Sequence, residues 1–175
     1  EEGITFFTDF LDQYPYNKFG WFNLGIFYSN IELFEKAIES YEFALAIDEK
    51  MSSAYFNMAN TYTSLNLYRK AIKLYKQTFL YEEPDAVTYC YIGDCYENIG
   101  ENGEALSNYN KALDIDVKMA DAWFGVGRIF AKIDSPISAV KYYEKALNLS
   151  PDSNEIRYEL GMTQLSSGNY KKAIK

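Results

Sequence analysis

Few residues in this sequence could do chemistry, and their types and spacing argue against catalysis. Histidine is absent from all 175 residues, which removes the commonest general base and the commonest zinc ligand, so ordinary catalytic triads are excluded. Cys90 and Cys95 are the only cysteines. Two are too few for a closed tetrahedral zinc site, and without a disulfide framework they read most simply as buried free thiols. Carboxylates are plentiful, but Glu35, Glu39, Glu42, Glu104 and Asp114 fall outside the apolar stripes described below, as a solvated face does. No glycine-rich phosphate loop or dinucleotide fingerprint occurs, so no cofactor and no metal is expected. Arg69, Lys70, Lys73 and Lys76 form the one basic cluster, on the polar side of a helical pattern where it would face water. What remains is recognition chemistry. The carboxamides of Asn57 and Asn60 donate and accept at once and could hold a partner's backbone, or could simply face water.

The elements that carry these residues must be folded and well packed. Hydrophobic residues make up 48% of the chain and aromatics 18%, with 17 Tyr and 12 Phe, so disorder is excluded and a core of bulky rings is available. The formal net charge is −8 and the 17 Lys and Arg are dispersed, which argues against nucleic acid as the main partner. No apolar run is long enough to cross a membrane, and no signal peptide is seen, so a water-soluble chain is expected. The unpaired cysteines favour a reducing compartment, the cytoplasm.

The organisation is repetitive. Trp21, Tyr55, Tyr89 and Trp123 recur every 34 residues, a period characteristic of stacked helical hairpins. Each opens a segment of the kind Trp21-Phe22-Asn23-Leu24-Gly25 and is followed by an aromatic (Tyr28, Tyr62, Tyr96, Phe130), an alanine (Ala37, Ala71, Ala105, Ala139) and a tyrosine (Tyr41, Tyr75, Tyr109, Tyr143). Ala44, Thr78, Ala112 and Ala146 complete the set. The aromatic, leucine-like, small and aromatic residues fall at i, i+3, i+4 and i+7 of a first helix, and the alanine, tyrosine and alanine at i, i+4 and i+7 of a second. Small residues let the two backbones approach while rings fill the space beside them. Tyr41 and its equivalents are therefore expected against Gly25 and its equivalents. Gly100 and Gly168 mark turns, and Ser135-Pro136 and Ser150-Pro151 read as a capping serine followed by a proline in the first helical turn.

These residues resemble the tetratricopeptide repeat family over nearly the whole chain. Complete units run 18–51, 52–85, 86–119 and 120–153. Residues 1–17 match the second helix of a preceding unit through Phe7, Phe10, Leu11 and Pro15. Residues 154–175 open a fifth unit that keeps Leu160, Gly161 and Ala173, although Arg157 and Gln164 replace its expected aromatics. The array is expected to continue past both ends. Phe6, Phe7 and Phe10 would then lie on an uncovered helix, which makes self-association one expectation and a consequence of where the sequence is cut the other.

The resemblance implies an all-α, right-handed α-solenoid whose concave groove is lined by first helices, with the second, fifth, ninth and twelfth positions of each unit pointing inward. The fifth-position row reads Phe22, Phe56, Cys90, Phe124 and Tyr158, either the floor for an apolar side chain of a partner or rings packed on the next unit's second helix. The other rows supply Phe19, Ile26, Ser29, Ser53, Asn60 and Thr63 early, and Val87, Asp94, Glu97, Asp121, Arg128 and Glu155 later. The groove would thus pass from apolar and neutral to acidic, suiting a partner segment with apolar and basic residues. Some family members clamp acidic chaperone tails with Lys, Asn and Arg. Here Phe22, Ile26, Val87 and Tyr91 stand at those places and only Asn57 agrees, which disfavours that ligand.

A non-catalytic scaffold or adaptor that binds a protein segment in the groove is the leading expectation. A self-associating structural module, or the recognition arm of a larger protein, is the alternative.

Overall fold

The computed structural model describes residues 2–133 and 135–167, and among these it contains ten helices and no strand. They are α1 (Glu2–Gln13), α2 (Lys18–Asn30), α3 (Phe34–Ile47), α4 (Ser52–Ser64), α5 (Tyr68–Thr78), α6 (Ala86–Asn98), α7 (Asn102–Ile115), α8 (Ala120–Lys132), α9 (Pro136–Leu149) and α10 (Asn154–Ser166). Two compact units divide them, Glu1–Pro84 with α1 to α5 and Asp85–Lys175 with α6 to α10. In the first, α2 pairs with α3 and α4 with α5, while α1 packs on α2 and α3 on α4. In the second, α6 pairs with α7 and α8 with α9, while α7 packs on α8 and α9 on α10. Gly168 and Ala173 lie outside the described residues.

Large and small residues interlock as the sequence pattern requires. Tyr41, Tyr75, Tyr109 and Tyr143 are all but fully buried, and the alanines at 37, 71, 105 and 139 expose nothing. A methyl group added at Gly25 would come within 2.5 Å of Tyr41, at Gly93 within 2.7 Å of Tyr109, and at Gly127 within 2.5 Å of Tyr143. The expected tyrosine-on-glycine contact therefore forms. Tyr109 makes a second one that the pattern did not reveal: its ring also lies against Gly125 of α8, so one side chain joins α6, α7 and α8.

Turns within pairs share one geometry. Glu32, Asn66 and Gly100 occupy the same place in successive repeats and all have positive φ, at 62°, 57° and 79°. The N–H of Leu33, Leu67 and Glu101 reaches back to the carbonyl of Tyr28, Tyr62 and Tyr96, and that of each positive-φ residue to the carbonyl one residue further on, Ser29, Thr63 and Glu97. This pair of bonds satisfies the last carbonyls of the first helix. Glycine was legible as the turn residue only in the third repeat, because the first two place Glu and Asn there.

Two local expectations are corrected, and one helix is shorter than the repeat implies. Ser135 does not cap α9 through a backbone N–H; its hydroxyl bonds the Ser138 hydroxyl at 3.1 Å, and Pro136, with φ preset, starts the helix. Between α9 and α10, Ser150 follows the end of α9 and Pro151 lies in a turn, while Ser153 accepts from the Ile156 N–H and caps α10. Finally, α5 stops three residues short of its equivalents. Thr78 stands where the other repeats carry alanine, and its hydroxyl bonds the Tyr75 carbonyl at 2.6 Å, offering the chain an alternative to the helical ladder.

Candidate functional site

In the first unit the candidate residues lie on α2 and α4. Phe19 is 58% exposed, whereas Phe22, Ile26, Phe56, Asn57 and Asn60 are half-buried. Phe22 packs on Tyr41, with ring centroids 6.0 Å apart, and Phe56 edge-on against Tyr75 at 5.5 Å. Asn57 donates to the Ser53 carbonyl at 2.8 Å, and the Asn60 carbonyl accepts from the Tyr75 hydroxyl. A carboxamide has two donor hydrogens and two acceptor lone pairs, so each retains hydrogen-bonding capacity beyond these contacts.

In the second unit Asp121 and Tyr158 are exposed, the latter by 64%, and so are Val87 and Tyr91. Cys90 and Phe124, in contrast, are core residues at 4% and 5% exposure. Phe124 packs on Tyr143 at 5.5 Å. Phe22, Phe56 and Phe124 thus each meet the tyrosine of their own helix pair, which projects between the two helices. Burial pushes the Cys90 thiol well above its ordinary range, with Asp94 and Asp121 adding to the effect, so it is held as the unreactive thiol.

Asp94, Glu97 and Arg128 form one network rather than an open acidic surface. Arg128 donates from Nη2 to Asp94 Oδ1 at 2.7 Å and to Glu97 Oε2 at 2.8 Å, and from Nε to both Glu97 oxygens at 3.0 and 3.1 Å. Lys132 reaches Glu97 Oε1 at 2.8 Å. The Tyr109 hydroxyl lies 2.7 Å from Asp94 and 2.8 Å from Glu97, its single proton shared between them. The guanidinium also covers the Phe124 ring, 4.8 Å from its centroid, a favourable cation–π position. Burial acts to raise the Glu97 carboxyl, but the hydrogen bonds from Arg128 and Lys132 outweigh it and hold Glu97 below the usual range. Burial pushes Asp94 upward, against the pull of Tyr109 and Arg128. Burial also works against the Arg128 charge, yet Glu97, Tyr109 and Asp94 hold it firmly protonated.

The network pairs the charges of Asp94 and Glu97 with Arg128 and Lys132, whereas Asp121 and Glu155 are exposed. Lys132 was not among the residues anticipated, and Tyr109 was anticipated only as a packing ring. The signal for the network was available: opposite charges at residues 94 and 128, one repeat apart, are neighbours on adjacent first helices. The basic cluster Arg69, Lys70, Lys73 and Lys76 is exposed on α5, with Lys70 Nζ over the Tyr62 ring at 5.0 Å.

A family model described as tetratricopeptide repeat matches residues 20–51, 86–116 and 120–153; two further models of that description match 54–85 and 137–175. No curated protein sequence matches the chain. Among solved structures, it is similar to YrrB, a tetratricopeptide repeat protein with an unusual peptide-binding site, at 19% identity over 95% of this chain and 86% of that one, with a TM-score of 0.73. MamA from Desulfovibrio magneticus RS-1 aligns at 16% identity over 88% of this chain and 87% of that one, with a TM-score of 0.80. The Cut9–Hcn1 hetero-tetramer of the APC/C aligns at 15% identity over 99% of this chain and 35% of that one, with a TM-score of 0.83. At these identities the likeness concerns the fold, an all-α repeat solenoid. Among the described residues no helix is long and apolar enough to cross a membrane.

Proposed function

Since the chain belongs to the tetratricopeptide repeat family, we propose that it is a non-catalytic protein-interaction scaffold that takes an extended partner segment on the face made by its first helices. One observation carries this reading: large apolar side chains that the fold does not bury recur on those helices, Phe19 on α2, Val87 and Tyr91 on α6, and Tyr158 on α10. Aromatic side chains anchor interfaces at low entropic cost. In the first unit Asn57 and Asn60 supply bonds for a partner's backbone, in the second Asp121 and Glu155 supply negative charge, and the segment bound is apolar and basic. The buried thiols of Cys90 and Cys95 fit a reducing compartment such as the cytoplasm.

Selection of a random peptide library displayed on phage tests the proposal. Peptides rich in Lys, Arg and apolar residues are expected, and their affinity drops at least about tenfold on a Phe19→Ala, Asn57→Ala double variant. Peptides that bind this variant and the native chain equally would overturn the groove reading.

A second reading rests on α1. Leu11 is buried and Phe7 packs on Phe27 at 5.6 Å, but Phe6, which meets Phe7 edge-on at 5.1 Å and stacks on Phe10 at 6.4 Å, is still 62% exposed. Self-association through this face predicts a dimer by sedimentation that Phe6→Glu makes monomeric; a monomer at high concentration sinks it.

A further inference from the structure

The first unit contains a second cleft, on the side of α2 opposite Phe19, Phe22 and Ile26. Residues at i, i+3 and i+4 of α1 form one wall, residues at the same spacing of α3 form the other, and Trp21 and Leu24 of α2 form the floor. The space is about 470 Å³, and a second cavity of about 500 Å³ that shares Pro15, Trp21 and Phe43 continues it toward Tyr16 and Ile47. Asp12 and Glu39, one from each wall, line the 470 Å³ space. Lys36 also lines it, with its ammonium 5.5 Å from the centroid of Tyr28, another lining residue, so the carboxylates outnumber the cation there by two to one.

The repeats themselves indicate what such a place accepts. Trp21 is equivalent to Tyr89 and Trp123, and in those later repeats the ring carries a lysine from the following second helix. Lys111 Nζ lies 5.5 Å from the Tyr89 centroid, and Lys145 Nζ 4.0 Å from that of Trp123. The residue equivalent to both lysines in the first repeat is Phe43, which stacks on Trp21 at 4.5 Å. An aromatic position that elsewhere carries an internal ammonium therefore has, in the first repeat, an apolar neighbour, an open cavity and two carboxylates. Aromatic faces flanked by carboxylates suit a cation on an apolar stem.

We propose that this cleft docks an arginine- or lysine-bearing segment of a partner protein, with the cation between Trp21, Asp12 and Glu39 and an adjacent apolar side chain in the cavity bounded by Tyr16 and Ile47. The site is separate from the first-helix groove, so one chain would hold two partner segments on opposite faces of α2.

The test is isothermal titration calorimetry with the peptide acetyl-Ala-Leu-Arg-Leu-Ala-amide and its citrulline analogue, which keeps the shape and removes the charge. The native chain is expected to bind the arginine peptide with a Kd below about 1 mM and the citrulline peptide at least about fivefold more weakly. Phe43→Lys, which installs the lysine of the later repeats, and separately Asp12→Asn with Glu39→Gln, two exposed positions, should each weaken binding by a similar factor. Asn57→Ala with Asn60→Ala reads whatever share of the peptide the first-helix groove takes. Should Phe43→Lys fail to fold, the carboxamide variant decides. No binding by the native chain, equal binding of the two peptides, or native affinity in the carboxamide variant overturns the proposal. Loss of binding only in the Asn57 and Asn60 variant overturns it too and assigns the peptide to the groove.

Discussion

Arg128 on α8 and Glu97 on α6 meet through three hydrogen bonds of 2.8 to 3.1 Å across a separation of 31 residues. Glu97 is buried while Arg128 keeps about a quarter of its side chain exposed. Arg128→Ala would leave two carboxylates, Asp94 and Glu97, sharing a site with one ammonium. Breaking a fully buried pair costs about 3–5 kcal/mol, and the partial exposure of Arg128 reduces this to about 2–3 kcal/mol. Chemical denaturation of the variant measures the loss. Arg128→Met with Glu97→Gln should recover part of it, since the buried Glu97 charge goes with its partner and only the partly exposed Asp94 carboxylate is left unpaired; no recovery would mean the Arg128–Glu97 pair is not the source.

Tyr109 sits between Gly93 and Gly125, and a methyl group on Gly125 would approach its ring to 2.4 Å. Gly125→Ala is therefore expected to destabilise the second unit by about 2–3 kcal/mol through overpacking. Hydrogen exchange should show the effect in α7 and α8. Gly103, which has open space around the added atom, is the control: Gly103→Ala removes a glycine from the first turn of α7 and should stabilise by about 0.5–1 kcal/mol.

Glu32 and Asn66 hold left-handed backbone where Gly100 does so without a side chain. Replacing Glu32 by glycine should stabilise the chain by up to about 1 kcal/mol, because a non-glycine residue in this conformation costs roughly 1–2 kcal/mol and glycine returns part of that as lost entropy. The gain at Asn66→Gly should be smaller, since asparagine tolerates the conformation. Melting temperatures of the two variants settle the order.

Burial pushes the hydroxyls of Tyr41 and Tyr143 up to about 12. An unfolded chain ionises these phenols near pH 10, so the stability they supply is complete below pH 10 and is lost as pH rises from 10 to 12. Each contributes up to about 2.5 kcal/mol to that loss. Urea midpoints measured from pH 9 to pH 12 should fall steeply for the native chain and less steeply for Tyr41→Phe. Identical slopes would show that Tyr41 ionises as freely in the folded chain as in the unfolded one.

The candidate site was legible only in part, and the division follows from how far each residue's surroundings depend on its own helix. Phe19 lies off the packed stripe of α2 and is 58% exposed, which depends on that one helix. Cys90 and Phe124 stand at a position whose exposure is decided by the tyrosine of the paired helix and by the packing of the next first helix, so the same repeat position is half-buried at Phe56 and core at Phe124. The charges of Asp94 and Glu97 looked available because nothing on α6 neutralises them; their counter-ions come from α8.

By itself the sequence determined the helical hairpins, their 34-residue period, the interlocking of Tyr41, Tyr109 and Tyr143 with glycines, and the lack of histidine-based chemistry, because all of these depend on residue type and short-range spacing. Only the tertiary structure decided that Arg128 spends the acidic charge of α6, that Tyr109 bridges three helices, and that Trp21 and Phe43 border a cleft between α1 and α3. Those relations join residues on different helices, and the distance between such residues is set by how helices of particular side-chain sizes settle on one another, which no periodicity records.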